Sequence, residues 1–315
     1  MLLTRFRRNH HLGFALGLLA LGLAPQAAIG SDTPEKILAS SLIGALICAV
    51  AMATSDPAAL GWRRPADQSG RPCPGGPPRA AASCGSQPRS PSTGAARDGR
   101  ARPLHTARAR ADRARPSSSG PLIAALLAVA AGCGALGWLA LDRSSWPATP
   151  VELAANLQVR TVQLLAIFLA SACFEELLFR GVLYADLSDA LAQRGAAHPV
   201  RSGALIAGMA FGLLHLSGPL TVTIDAPVVI QAVLKVASAT AFGICLAALY
   251  QRCGNVWPGV LTHAGYNLLE GGTLAWTCGA LSGSYLTGQP CDLAVLAVET
   301  CCLAVIGVLA WQELE

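Results

Sequence analysis

The sequence predicts an all-α fold, a polytopic membrane bundle of about eight transmembrane helices. Of its 315 residues, 53% are hydrophobic and only 13% are charged, and the mean hydropathy is +0.47. The apolar residues are gathered into runs close to the roughly 20 residues that a helix needs to cross a bilayer. Ala and Gly are abundant and aromatic residues make up 5%, which is typical of membrane helices that pack through small side chains. No soluble domain of any size is expected.

Each predicted helix corresponds to one apolar run. In chain order the runs lie at about residues 12–29, 37–54, 121–141, 161–182, 203–217, 228–250, 255–270 and 291–311. The runs at 203–217 and 255–270 are shorter than a comfortable crossing, so these helices must tilt little or include flanking residues.

The first run has two interpretations. It follows an Arg-rich start, "MLLTRFRRNHH", is interrupted by Pro25, and ends in small residues. These features fit a cleaved signal peptide as well as a transmembrane helix. We favour a helix that is retained in the mature protein.

The segment 55–120 differs in composition from the rest of the chain. It consists mostly of Arg, Ala, Pro, Gly and Ser, with 12 Arg against four Asp. Such a composition cannot bury enough apolar surface to offset the entropy lost on ordering, so we expect a disordered loop. The sequence therefore predicts three parts: N-terminal transmembrane helices at 1–54, the loop at 55–120 and an intramembrane core at 121–315.

The distribution of positive charge predicts the orientation. Lys and Arg are enriched in cytoplasmic segments, and here they are concentrated in the N-terminal segment and in the loop 55–120. Both termini are therefore expected on the cytoplasmic side, in a bacterial inner (plasma) membrane. The basic loop also fits a tail that binds nucleic acid or anionic lipid. Because no aromatic or helical face organises its charges, we expect a solvated linker and no nucleic-acid partner.

Two adjacent carboxylates stand near the end of the fourth run, in "ACFEELLFRGVLY". A charge at the bilayer centre costs about 2.5–3.5 kcal/mol even on the lenient insertion scale, so ionisable residues in spans tend to pair and to carry function. Glu176 and Arg180 are four residues apart and can form a salt bridge on one helix face. Glu175 lies about 100° around the helix from Glu176 and lacks that partner.

Three further polar residues lie in apolar runs. His215 follows "FGLL" in the fifth run, and His263 and Asn267 share one face of the seventh because they are four residues apart. At about 1.5 Å per residue from the inferred cytoplasmic ends, Glu175 lies about 10 Å deep, His263 about 13 Å and His215 about 18 Å. These residues are therefore expected to meet in one layer of the bundle.

The three motifs together resemble a known family. "EELLFR" has the form E-E-x-x-x-R, "FGLLH" the form F-x-x-x-H and "HAGYN" the form H-x-x-x-N. Their order and context, over residues 160 to 270, resemble the CPBP (Abi-like) intramembrane proteases, which include CAAX prenyl endopeptidases and bacteriocin-related proteins. The resemblance implies an eight-helix fold, and the loop 55–120 departs from it as an insertion.

The resemblance also implies catalytic roles. Glu175 and His215 would activate a water molecule that attacks the scissile carbonyl of a membrane-associated peptide, prenylated in the CAAX members, and His263 and Asn267 would stabilise the oxyanion. Glu176 and Arg180 would be structural. This chemistry is physically reasonable, since donors in a low-dielectric site stabilise a developing oxyanion well. No Ser or Cys nucleophile is implied.

Two other functions fit the same residues. Two Glu, two His and an Asn could bind a divalent metal such as zinc, although no H-E-x-x-H motif is present and the eleven Cys contain no C-x-x-C pair. A polar cluster could also serve a transporter or a non-catalytic scaffold, but no inverted repeats are evident in the sequence. We expect no cofactor, and membrane lipid and a peptide or protein substrate as partners. Lys235 and Glu299, outside the motifs, are expected to snorkel or to pair helices.

Overall fold

A computed structural model describes residues 7, 9–29, 33–55, 60, 118–140, 149–216, 224–278 and 286–314. Almost all of the predicted loop 55–120 therefore lies outside the described residues, and its expected disorder stays a prediction.

The described residues form helices and no strands, which confirms the all-α prediction. The α-helices are α1 (His11–Ile29), α2 (Pro34–Ser55), α3 (Gly120–Ala140), α4 (Pro150–Glu176), α5 (Ala185–Gln193), α6 (Pro199–Leu214), α7 (Ala226–Cys253), α8 (Trp257–Cys278) and α9 (Pro290–Gln312). A π-helical segment, Leu177–Tyr184, joins α4 to α5 without a break. The result is eight continuous rods in the described part of the chain, one for each predicted run.

Six of these rods are long and apolar enough to cross a membrane. Of the other two, α6 has only 16 residues and α8 interrupts its apolar sequence with polar side chains. These are the two helices that the sequence marked as short. The architecture is therefore that of a polytopic helical membrane protein.

The fourth rod extends further than its apolar run. The run was expected to end at residue 182, whereas the apolar rod covers Arg160–Gln193. Within the rod, whose residues are all described, no positive φ occurs, and the first one after it is at Gly195, with a φ of 75°. Asp186 does not end the rod either, because it is 1% exposed and accepts a hydrogen bond from Arg7.

Glycines allow close approach of several helices. A Cβ at Gly134 of α3 would lie 2.1 Å from the carbonyl oxygen of Leu269 in α8, and a Cβ at Gly212 of α6 would lie 2.6 Å from that of Val236 in α7. Backbones this close leave no space for a side chain, so the expected packing through small residues is confirmed at these crossings.

Arg7 connects the N-terminal region to the centre of the bundle. Its Nε donates to Asp186 at 2.8 Å, its Nη1 to Ser55 at 3.1 Å and its Nη2 to the carbonyl oxygen of Gly181 at 3.2 Å. The guanidinium also lies over the ring of Phe14. Retention of the first helix stays a prediction, and these contacts support it because its loss would leave Asp186 buried without its arginine.

The π-helical segment lies at the centre of the hydrophobic core. All eight of its residues are buried, and it contacts α1, α2, α6 and α7. Side chains that point from this segment, or from the last turn of α4, are therefore directed into the bundle rather than towards lipid.

Candidate active site

The predicted ion pair between Glu176 and Arg180 is present at the start of the π-helical segment. Arg180 Nη1 donates to Glu176 Oε1 at 2.8 Å, and the two side chains are 2% and 1% exposed. The guanidinium lies 4.7 Å from the centroid of the Phe211 ring and donates weakly to the carbonyl oxygen of Gly243 at 3.4 Å. Both charges are thus compensated inside the bundle. Local π-helical turns are common at functional sites, and the sequence carried no signal for this one.

His263 lies between the two glutamates, a contact that the sequence did not reveal. Its Nδ1 is 2.9 Å from Glu176 Oε1 and its Nε2 is 3.6 Å from Glu175 Oε2. Because Glu176 pairs with Arg180 and is therefore an acceptor, Nδ1 carries the proton and donates. Gly259, one turn before His263, makes room for this arrangement, since a Cβ there would lie 3.0 Å from Glu176 Oε2. The buried imidazole thereby directs Nε2 to Glu175.

Glu175 has the environment expected of a carboxylate without an arginine partner. Its Oε1 accepts a hydrogen bond from Ser171 Oγ at 2.7 Å, and its side chain is 20% exposed. Its Oε2 is buried and has no hydrogen-bond partner among the described residues. Ser171 belongs to none of the three motifs, although its spacing of four from Glu175 on one helix could have indicated this contact.

His215 caps the C-terminal end of α6. Its Nδ1 is 2.9 Å from the carbonyl oxygen of Phe211, to which it donates, so the other ring nitrogen is the one directed away from its own helix. The Phe211 ring makes edge contacts with His215 at 4.6 Å and with His263 at 5.8 Å between ring centroids. One aromatic side chain thus lies between the two predicted catalytic histidines.

A small cavity of about 30 Å³, enough for a water molecule, adjoins these groups. Three of the four predicted catalytic residues line it, namely His215, His263 and Asn267. Glu175 approaches from the α4 side and contacts His263. The predicted meeting of the three motifs in one layer is therefore confirmed, while the roles of the individual residues stay predictions.

A second group of polar side chains, outside the three motifs, forms another wall of the cavity. Tyr266 donates to Glu299 at 2.8 Å, which links α8 to α9, and Lys235 and Glu270 line the same cavity. Lys235 is 7% exposed and Glu299 is 3% exposed. The expectation that these two residues snorkel is therefore wrong, because both are buried in the bundle. The alternative expectation of helix pairing is confirmed for Glu299.

Metal ligation was left open by the sequence. Among the described residues, no three His, Cys, Asp or Glu side chains are placed so that they could hold a metal ion. The independence of the activity from metal stays a prediction.

Comparison with known proteins supports the resemblance. Residues 157–269 match the family described as "Rce1-like: Type II CAAX prenyl endopeptidase Rce1-like". No curated protein and no solved structure matches the chain. The matched range agrees with the range 160 to 270 over which the motifs were recognised, and it includes α4, the π-helical segment, α6 and the site residues. The match supports a protease of the CAAX type within a helical membrane bundle. Residues 157–269 are thus similar to the Rce1-like family, in agreement with the resemblance that the three motifs carry.

Proposed function

We propose that the protein is an intramembrane endopeptidase in which Glu175 and His215 activate a water molecule, while His263 and Asn267 stabilise the oxyanion. The observation that carries this proposal is the environment of Glu175 Oε2. It is a buried carboxylate oxygen without a hydrogen-bond partner among the described residues, and it faces His263 at the wall of a polar cavity. An oxygen atom of this kind can accept a proton from a bound water.

The proposed reaction has two stages. Glu175 removes a proton from water, assisted by His215, and the water oxygen forms a bond to the carbonyl carbon of the substrate. The negative charge that develops on the carbonyl oxygen is stabilised by donors from His263 and Asn267. The tetrahedral intermediate then collapses, the C–N bond breaks, and the leaving nitrogen takes the proton held by Glu175. The two products are a new carboxyl group and a new amine.

The proposed substrate is a membrane-associated peptide or protein. The cavity lies within the bundle and is lined largely by polar side chains, which suits a water molecule beside a peptide carbonyl better than a hydrocarbon chain. The family description names prenyl substrates, and we propose that a prenyl group, where present, remains in contact with lipid. Cleavage rates of one peptide with and without a prenyl group would test this part directly.

The proposed location is a bacterial inner membrane with both termini in the cytoplasm. The support is the excess of Arg near the N-terminus and in the segment 55–120. Protease added to sealed, right-side-out vesicles should leave that segment intact, and cleavage there would overturn the orientation.

The proposed activity can be tested in membranes from cells that lack the endogenous gene. The termini of membrane proteins would be compared by mass spectrometry after expression of the wild type, the Glu175→Gln variant and the Glu35→Gln variant. Glu35 is an exposed residue at the start of α2 and serves as the matched control. New termini should appear with the wild type and the control and should be missing with Glu175→Gln. Their persistence in Glu175→Gln would refute the proposal.

A metal-dependent hydrolase would also lose activity on substitution of these residues, so chelation is needed as a separate test. The purified enzyme should keep its activity after exhaustive chelation, because the water is activated by a carboxylate. Asn267→Ala should lower kcat by about 10²- to 10³-fold with little change in KM, as expected for an oxyanion donor. Stoichiometric zinc, with activity that follows the zinc content, would overturn the glutamate mechanism.

A further inference from the structure

Ser171 makes an unusual hydrogen bond for a helical serine. In a helix interior, a Ser hydroxyl commonly bonds to a backbone carbonyl of the preceding turn, as Ser40 does with Ile37 in α2 at 3.2 Å. Ser171 instead donates forward along α4 to Glu175 Oε1 at 2.7 Å. A hydroxyl that donates to a carboxylate at this distance forms a charge-assisted bond, which is stronger than a neutral one.

The two oxygens of Glu175 consequently have different surroundings. Oε1 is held by Ser171, whereas Oε2 is buried, faces His263 Nε2 at 3.6 Å and has no hydrogen bond to any described residue. The bond from Ser171 opposes rotation of the side chain and of the carboxylate plane. The serine therefore fixes the plane in which the second oxygen is directed at His263.

His263 restrains the same geometry from the opposite side. Its Nδ1 is bonded to Glu176 at 2.9 Å, and Glu176 is itself bonded to Arg180 at 2.8 Å. The imidazole is 2% exposed and cannot turn without breaking these contacts. Glu175 is therefore held from α4, and the imidazole that its Oε2 faces is held separately by Glu176.

We propose that Ser171 is a positioning residue for the hydrolytic reaction, which holds the carboxylate of Glu175 so that the oxygen not bonded to Ser171 is oriented to accept the proton from water. This inference rests on the proposed function, in which Glu175 is the base. Ser171 does not touch the substrate, and it acts through Glu175.

The test uses the purified full-length protein in detergent, with Ser171→Ala, Ser171→Thr and the control Ser40→Ala. Ser40 is also a buried helical serine, but its hydroxyl bonds only to its own helix. Ser171→Ala should lower kcat by about 10- to 100-fold with little change in KM, since a hydrogen bond to a charged group is lost. Ser171→Thr keeps the hydroxyl and should restore most of the rate. Ser40→Ala should retain the wild-type rate.

The division of the effect between kcat and KM, together with the rescue by Ser171→Thr, distinguishes positioning from a merely structural role. The melting temperature of Ser171→Ala should stay close to that of the wild type, because the fold does not depend on this one hydroxyl.

Three outcomes would overturn the inference: a wild-type rate in Ser171→Ala, an equal loss of rate in Ser171→Thr, or a lost rate accompanied by a lowered melting temperature. Glu175→Gln is measured in parallel. If Glu175→Gln is inactive while Ser171→Ala is unaffected, only the role of Ser171 is refuted. If Glu175→Gln is active, the proposed function itself is refuted.

Discussion

Substitution by Gln should mainly lower the stability of the protein at Glu176 and mainly abolish its activity at Glu175. Glu176 is 1% exposed and accepts hydrogen bonds from Arg180 and His263, at 2.8 and 2.9 Å. Glu175 is 20% exposed on its side chain and accepts one hydrogen bond, from Ser171. Replacement of each by Gln removes one charge and changes almost no volume, so the difference between the variants reports the electrostatic environment alone.

The expected magnitudes follow from these contacts. Removing one partner of a buried ion pair costs about 3–5 kcal/mol, because the other charge stays buried without compensation. Glu176→Gln and Arg180→Met should each lose about this much stability, which corresponds to a drop in melting temperature on the order of 10 °C. Glu175→Gln loses one hydrogen bond near solvent and should lose about 1 kcal/mol or less. It should fold normally and be inactive.

Thermal unfolding in detergent, followed by size-exclusion chromatography of the heated samples, measures these differences. The double variant Glu176→Gln/Arg180→Met provides the control, because it removes both charges together. Its stability loss should be smaller than the sum of the two single losses, since no charge is left unpaired. Equal losses in Glu175→Gln and Glu176→Gln, or strict additivity in the double variant, would refute this division between the two carboxylates.

Two further substitutions test the packing. Gly134→Ala should destabilise the bundle by about 1–3 kcal/mol, because its Cβ would lie 2.1 Å from the carbonyl oxygen of Leu269. Gly132→Ala should be nearly neutral, because a Cβ there would have nothing within 4 Å. Equal melting temperatures for the two variants would contradict the close approach of α3 and α8. Arg7→Met should lower the melting temperature by an amount similar to that of Arg180→Met, because Asp186 is 1% exposed and loses its arginine, and an unchanged value would show that the N-terminal region does not depend on this contact.

The helices and the ion pair could be predicted because both depend on short-range sequence. An apolar run of bilayer length can only be a helix in lipid, since every backbone polar group must be satisfied within the segment. The pairing of Glu176 with Arg180 follows from a spacing of four in the same helix. The π-helical segment Leu177–Tyr184 does not disturb this pairing, since Arg180 lies in its first turn.

For contacts between distant helices, the sequence could predict only that the residues lie at a similar depth in the membrane. Glu176 and His263 are 87 residues apart, and their hydrogen bond depends on the rotation of α8 about its axis. That rotation is determined by packing, in part by the absence of a side chain at Gly259. Depth counting placed the residues in one layer, but it contained no information on which carboxylate the imidazole would meet.

The second polar wall was missed for a related reason. Lys235 and Glu299 belong to no motif, and a long charged side chain in an apolar run ordinarily extends to the interface. Whether it does so depends on the face of the helix that it occupies, and α7 and α9 present almost no amphipathic contrast that would reveal this face. Only the packing of α7, α8 and α9 around the cavity shows that both residues are buried.

Because His263 contacts both glutamates, Glu176 does more at this site than stabilise the bundle. Glu176 is compensated by Arg180 and accepts a hydrogen bond from His263 Nδ1. The other ring nitrogen, Nε2, faces Glu175. The proposed oxyanion role of His263 requires a proton on Nε2 as well, since the Nδ1 proton is directed at Glu176. Glu176 consequently orients a predicted catalytic imidazole in addition to stabilising the bundle.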